Sequence, residues 1–195
     1  MKLTNKEIRQ RARHALNNNI FSKEWLLGIA ISMVIGAILG FSSSFTYGIG
    51  AILLSGPLYV GLHIALLNIA RGYNVQFSDS FEGFQNFGSN LVLGFMYNLI
   101  IWLWSLLFII PGVIKGYSYC MAYFVKADNP SWGWKECLDE SERLMKGNRL
   151  RYFFLMLSFI GWDLLGFITC GISTVWVTAY KSTASAVFYE DIKTF

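Results

Sequence analysis

Residues 99–130 read LIIWLWSLLFIIPGVIKGYSYCMAYFVKADNP, two apolar runs that meet at Pro111 and Gly112. Proline followed by glycine at the end of an apolar run ends one helix and lets the next leave at a new angle. Together the runs are too long and too apolar for a soluble core, because about 20 apolar residues already make one membrane span. The stretch therefore predicts a transmembrane hairpin with its kink at Pro111 and Gly112.

The composition of the whole chain is that of a membrane protein. Of its 195 residues, 54% are hydrophobic and 14% are charged, whereas a soluble domain averages about 25% charged residues. The length holds about six spans of about 20 residues, which leaves no room for a separate soluble domain. The net charge of +4 lies in connecting segments, without the basic clusters typical of nucleic-acid binding. We therefore expect a lipid bilayer as partner and no nucleic acid.

The segments on either side repeat the hairpin design. An amphipathic segment followed by a hairpin occurs in residues 4–70, 78–127 and 131–189, within a single membrane domain of residues 1–195. The repeat is one of architecture rather than of sequence. The predicted fold class is all-α and polytopic, with six spans as three hairpins. These spans are residues 25–45 and 49–70, the two arms of 91–126, and residues 150–167 and 172–189.

Each amphipathic segment is predicted to be a helix in the headgroup region of the bilayer. In the first segment Thr4 and Glu7 can form a capping box, and apolar residues recur every four positions from Ile8 to Ile20. An ordinary solvated helix is the alternative for this segment. The second segment carries a stripe of phenylalanines at helical spacing, and the third has one apolar face. The stripe is Phe77, Phe81, Phe84 and Phe87, and the face is Trp134, Leu138, Ser141 and Met145.

The distribution of basic residues predicts the orientation. Of the sixteen Lys and Arg residues, all but Lys115 and Lys181 fall in the leader, the two long connections, their junctions with the spans or the tail. The three tight turns within the hairpins carry none. Basic residues concentrate on the cytoplasmic side of membrane proteins. Both termini are therefore expected in the cytoplasm.

Several stretches together resemble one bacterial integral-membrane family, catalogued as domain of unknown function family 975. The resemblance covers nearly the whole chain and implies a multi-pass protein of the bacterial inner membrane. It implies no catalytic residue. The stretches are RARHAL (11–16), FEGFQNFG (81–88), LWSLLFIIPGVIKGYSYCMAYFVKADNP (103–130), SERLMKGNRLRYFFLMLSFIGWDLL (141–165), TAY (178–180) and FYED (188–191).

Lys115 and Asp163 are the first candidates for a functional pair, because charges inside spans are costly to bury. Counting helical rise from the cytoplasmic ends places them about 18 and 20 Å into the fourth and fifth spans. Equal depth and opposite charge predict an ion pair. The alternative is that each side chain extends separately to the outer headgroups. If the two do not meet, Lys181 becomes the preferred partner of Asp163.

A second set of polar residues lies nearer the middle of the bilayer, in four different spans. His63, Asn98, Tyr119 and Lys181 are each predicted roughly 10–14 Å from the cytoplasmic face. They could line a shared polar pocket or path. The alternative is that each side chain satisfies a neighbouring backbone carbonyl or hydroxyl group.

Enzyme signatures do not occur in the sequence. It contains no HExxH, GxSxG, P-loop or dinucleotide motif, and the three cysteines have neither disulfide nor zinc spacing. We therefore expect no catalytic residue, metal or cofactor. The expected function is a non-catalytic interaction with lipid or with another membrane protein. A small transporter or channel component with a mid-membrane polar site is the alternative.

Overall fold

The computed structural model describes residues 3–17, 22–45, 49–107, 109–168 and 172–194, and all regular structure in these ranges is helical. The helices are α1 (Asn5–Ala15), α2 (Lys23–Phe45), α3 (Ile49–Ala70), the 3-10 helix η1 (Phe77–Phe84), α4 (Phe87–Leu107), α5 (Ile109–Tyr119), α6 (Ala122–Asp128), α7 (Trp134–Met145), α8 (Arg149–Leu157), α9 (Ile160–Ile168) and α10 (Ile172–Lys193). The turns that join α2 to α3 and α9 to α10 lie outside the described residues, as does Cys170.

Three helices are long and apolar enough to cross a membrane. They are Lys23–Phe41 of α2, Ile52–Ala70 of α3 and Phe87–Leu106 of α4. These match the first, second and third predicted spans and indicate a membrane protein. The set of six spans stays a prediction.

The predicted fourth and fifth spans are each divided into two short helices. α5 and α6 have 11 and 7 residues, and α8 and α9 have 9 each, against the roughly 20 residues of one straight span. The first division falls at Cys120 and Met121, and the second at Ser158 and Phe159. A side chain of α7 explains the first division, because the Ser141 hydroxyl accepts a hydrogen bond from the Met121 amide at 3.2 Å. The Ser141 hydroxyl then donates to the Ser118 carbonyl at 2.8 Å, so α7 satisfies backbone groups that the division exposes.

The break between α4 and α5 precedes Pro111 and falls at residue 108, which lies outside the described residues. α4 ends at Leu107 and α5 begins at Ile109, so Pro111 and Gly112 lie in the first turn of α5. Proline is tolerated there because the first amides of a helix have no intrahelical partner. Gly112 has a packing role, since a Cβ atom at this position would lie 2.9 Å from the Cα of Ser105 on α4. The glycine therefore lets the two helices touch.

The capping box of α1 is confirmed, but its apolar face is covered by protein. The Thr4 amide donates to Glu7 at 2.6 Å, and the Glu7 amide donates to the Thr4 hydroxyl at 3.3 Å. Ile8, Ala12 and Leu16 are fully buried, and the helix packs mainly against α10. Packing on α10 thus covers the apolar face, and the position of this helix in the headgroup region stays a prediction.

The apolar face of α7 is likewise covered by protein. Its predicted face is correct, since Leu138, Ser141 and Met145 are buried and Trp134 is partly buried. The face packs against α4, α5 and α6, and the position of the helix in the headgroup region stays a prediction. Two of the three amphipathic segments therefore use their apolar faces to build the protein core.

Candidate functional site

Lys115 binds an acid that the sequence analysis did not pair with it. Its Nζ atom donates to both carboxylate oxygens of Glu142 on α7, at 2.8 and 2.9 Å, and to the Tyr119 hydroxyl at 3.3 Å. The ammonium group also lies 5.9 Å from the ring centroid of Trp104. Hydrogen bonds from Lys115 hold the pKa of Glu142 below its usual value. The predicted pair of Lys115 with Asp163 does not form in this structure.

The reason is the division of the predicted fourth span. The depth of Lys115 was predicted along one continuous helix from the cytoplasmic end of the span, but the helix is interrupted at Cys120 and Met121. α7 packs beside α5 and carries Glu142 to the lysine. A polar helix thus supplies the counter-ion that a neighbouring span was expected to supply.

Asp163 pairs with Lys181, the second partner that the sequence offered. The Lys181 Nζ atom donates to Asp163 Oδ2 at 3.0 Å, across the contact between α9 and α10. The two side chains remain 45% and 35% exposed for Asp163 and Lys181, so the pair lies at the surface of the helix bundle. Exposure of this extent means that lipid, water or a partner protein completes its surroundings.

The four residues of the predicted polar set do not share a hydrogen-bonded site. His63 Nδ1 donates to the Tyr59 carbonyl at 2.6 Å, and Asn98 donates to the Gly94 carbonyl at 2.8 Å. Each of these bonds runs to the residue four positions earlier in the same helix. The other two members bind elsewhere, Tyr119 to Lys115 and Lys181 to Asp163. Local satisfaction, the alternative in the sequence analysis, describes His63 and Asn98, whereas Lys181 binds an acid on another helix.

A larger ion cluster joins the C-terminal ends of α3, α6 and α10. Arg71 donates to Asp128 at 2.7 Å and to Glu190 at 2.5 Å. Asp128 also accepts from the Tyr189 hydroxyl at 3.0 Å and from Lys193 at 2.6 Å. Burial acts to raise the pKa of Asp128, but the bonds from Lys193, Arg71 and Tyr189 outweigh it and hold the pKa below its usual value. The side chain of Asp128 is only 7% exposed, so the cluster anchors three helix ends around it.

Sequence reasoning missed this cluster although it contains a signal. Arg71, Asp128 and Glu190 each stand where the apolar run of one predicted unit ends. One cation and two acids at equivalent positions of a three-unit pattern are a reason to expect contact. The three positions are distant in sequence, so only the repeat could have linked them.

A second contact fastens the N-terminus to the same end of the protein. The Leu3 amide donates to Asp191 Oδ1 at 3.1 Å. Arg151 of α8 donates to Asp191 Oδ2 at 2.5 Å and also to the Leu3 carbonyl. The first residues, α8 and α10 are thereby held together.

The phenylalanine stripe forms a ladder of four rings. Consecutive ring centroids from Phe77 through Phe81 and Phe84 to Phe87 are 5.7, 6.2 and 6.1 Å apart. Phe77, Phe81 and Phe87 are 38%, 42% and 42% exposed. The rings follow one another along the 3-10 helix and into the first residue of α4, at spacings of four, three and three residues.

The opposite side of η1 contacts α3 through backbone atoms. A Cβ atom at Gly61 would lie 1.8 Å from the Ser80 carbonyl oxygen, and one at Gly83 would lie 2.0 Å from the Pro57 carbonyl oxygen. Asn90 of α4 also donates to the Gly83 carbonyl at 2.6 Å. η1 is thus held closely against a membrane-length helix, while Phe77, Phe81 and Phe87 of the ladder remain exposed.

The described residues form an all-helical fold, and three of its helices are long and apolar enough to cross a bilayer, as in a membrane protein. The model of a family described as a protein of unknown function, DUF975, matches residues 1–115 and 108–195. The chain belongs to this family, as its sequence motifs indicated. No curated protein and no solved structure matches it.

Proposed function

We propose that this protein is an integral membrane protein without enzymatic activity that binds lipid, or a neighbouring membrane protein, at the cytoplasmic face of the bacterial inner membrane. The location follows from the family resemblance and from the basic residues in the connections, which also favour cytoplasmic termini. The phenylalanine ladder carries the proposal.

The ladder differs from the two other amphipathic segments in what covers it. The apolar faces of α1 and α7 are buried in the protein, whereas Phe77, Phe81 and Phe87 each keep about two-fifths of their surface uncovered. Covering the remaining surface would stabilise the protein by about 0.6–1.2 kcal/mol for each ring. A helix with an aromatic face of this kind lies at the boundary of headgroups and acyl chains.

Exposed aromatic residues with polar groups lie at the adjoining chain segments. Tyr73, which follows α3, is 62% exposed, and Trp132, which precedes α7, is 36% exposed. Trp132 is close to the ladder, because its carbonyl accepts from Ser89 and from the buried Lys126. Tyrosine and tryptophan favour the membrane–water interface, where one part of the ring system is apolar and another is hydrated.

Spin labels at two adjacent positions test the proposal. Phe81→Cys points the label along the ladder, and Glu82→Cys, on an exposed neighbour, is the matched control in a background without the native cysteines. In vesicles of phosphatidylethanolamine and phosphatidylglycerol, we expect the label at 81 to be relaxed by oxygen and the label at 82 by a water-soluble nickel chelate. Equal relaxation of both labels by the chelate would show that the ladder does not enter lipid.

The pair of Asp163 and Lys181 supports a second candidate, a small transporter or channel component. An exposed ion pair between helices predicted to cross the membrane is costly unless water or a polar partner reaches it. The test is reaction of Lys181→Cys with a charged, membrane-impermeant thiosulfonate in sealed vesicles. Rapid reaction would favour a water-filled path, whereas no reaction would favour the lipid-binding candidate.

A further inference from the structure

A cavity of about 400 Å³ lies between α4 and α5 and opens at the side of the bundle. Tyr152 of α8 lies at its inner end. Among the described residues no Lys, Arg, Asp or Glu lines it, and its polar groups are tyrosine, serine and cysteine side chains. The principal lining residues are Tyr97, Ile101, Gly112, Gly116, Tyr117 and Tyr152.

Two glycines of α5 give the cavity its wedge shape. At Gly112 the two helices touch, because a Cβ atom there would lie 2.5 Å from the Ser105 Oγ atom of α4. One helical turn further on, a Cβ atom at Gly116 would have nothing within 4 Å. The helices therefore separate from the hairpin turn toward Gly116, and the missing side chain leaves the space open.

The mouth of the cavity is continuous with the apolar outer surface of the protein. Trp102 and Leu106 on α4 are 61% and 71% exposed, and Val113 and Ile114 on α5 are 54% and 45% exposed. α4 is one of the three helices long and apolar enough to cross a membrane. A side chain or ligand that enters this mouth would come from the lipid phase and not from water.

We propose that this cavity holds one acyl chain of a membrane phospholipid, with the hydroxyl groups of Tyr97 and Tyr117 available to its polar end. The proposal rests on the membrane location proposed above. A helix about 10 Å wide would fill this volume with roughly one turn, which favours the thinner acyl chain as the occupant. A headgroup is an unsuitable occupant, because no charged residue of the described part of the chain lines the cavity.

Binding here depends on packing and hydrogen bonds. An acyl chain gains little from leaving other acyl chains for an apolar cavity, so the hydrophobic effect supplies little affinity. Close contacts with the aromatic walls and a hydrogen bond to an ester carbonyl supply it instead. Tyr152 at the inner end already shares a hydrogen bond with Ser185 at 3.0 Å, which fixes that wall.

Filling the cavity tests the proposal. Gly116→Leu places a side chain in the open space, and Gly36→Leu on α2 is the matched control, because a Cβ atom at either glycine meets nothing within 4 Å. The full-length proteins are reconstituted in phosphatidylethanolamine and phosphatidylglycerol vesicles with a phosphatidylethanolamine that carries a photoreactive diazirine on one acyl chain. After illumination, labelling is assigned to single residues. Within residues 97–120 only the cavity-lining Tyr97, Ile101 and Tyr117 are counted, because Trp102 and Leu106 meet bulk lipid in every variant, and they are compared with residues 77–87.

We expect Gly116→Leu to lose labelling of residues 97–120 by about tenfold or more, which corresponds to about 1.4 kcal/mol, and Gly36→Leu to keep it. Labelling of the ladder at residues 77–87 should be equal in all proteins. Undiminished labelling of residues 97–120 in Gly116→Leu would overturn the acyl-chain site, even with the ladder labelled. If residues 77–87 of the unaltered protein are not labelled, the proposed function is refuted instead.

A second variant serves if Gly116→Leu does not yield a monodisperse protein. Val113→Trp changes a half-exposed residue at the mouth, where the added ring narrows the opening without entering the core. It should also reduce labelling of residues 97–120. Unchanged labelling in a folded Val113→Trp protein would count against the site.

Discussion

The contact of η1 with α3 makes the sign of a glycine substitution predictable. Gly61→Ala adds a Cβ atom 1.8 Å from the Ser80 carbonyl oxygen, where an ordinary contact is about 3.4 Å or more. The obstructing atom belongs to backbone, so no side-chain rotation can relieve the overlap. The 3-10 helix must move by about 1.5 Å, which also disturbs the contact of Gly83 with Pro57.

The magnitude combines two opposing effects. Overpacking of a tight contact costs about 1–3 kcal/mol. Alanine gains about 0.5–1 kcal/mol over glycine within a helix because it loses less conformational freedom. For Gly61→Ala we expect a net loss of about 1–2 kcal/mol. Gly36→Ala on α2, where an added Cβ atom meets nothing within 4 Å, should show only the gain.

Thermal unfolding in one detergent measures both variants against the unaltered protein. At about 2–4 °C for each kcal/mol, Gly61→Ala should lower the Tm by several degrees and Gly36→Ala should raise it slightly. The double substitution of Gly61 and Gly83 should cost less than the sum of the single ones, because the first displacement already opens the second contact. A Tm for Gly61→Ala equal to that of Gly36→Ala would refute the backbone contact.

Three further predictions concern charges. In a urea titration, Asp128→Asn should lower the free energy of unfolding by about 1–3 kcal/mol, because it weakens a buried acceptor of hydrogen bonds from three side chains. The control Glu140→Gln, at an exposed ion pair, should lower it by about 0–1 kcal/mol. Because folding lowers the pKa of Asp128, the stability that its charge contributes is complete above the unfolded pKa of about 3.9 and is lost as the pH falls through the folded pKa. The Tm of Asp128→Asn should therefore decline less steeply below pH 4 than the Tm of the unaltered protein. Equal declines would show that Asp128 does not contribute this pH dependence. Asp163→Asn and Lys181→Met should each destabilise the protein in detergent, and the double variant should lose about 0.5–3 kcal/mol less than the sum of the two single losses. Additive losses would show that the two residues do not interact.

Local signals in the sequence were sufficient for the class of protein and for several individual elements. Apolar runs of span length predicted α2, α3 and α4, because hydropathy accumulates over neighbouring residues and needs no knowledge of the fold. The capping box of Thr4 and Glu7 and the buried face around Ser141 were equally local, since both depend on residues three or four positions apart. The family followed from motifs spread along the whole chain.

Only the tertiary structure decided which partners these elements have. Lys115 could meet Asp163 or another acid, and the choice of Glu142 depended on α7 docking where α5 and α6 divide. The cluster around Asp128 likewise needed three helix ends at one place. Amphipathicity could not distinguish a face covered by protein, as at Ile8, from one left exposed, as at Phe81, because the pattern records only that a face avoids water. What covers it is fixed by the packing of helices that are far apart in sequence.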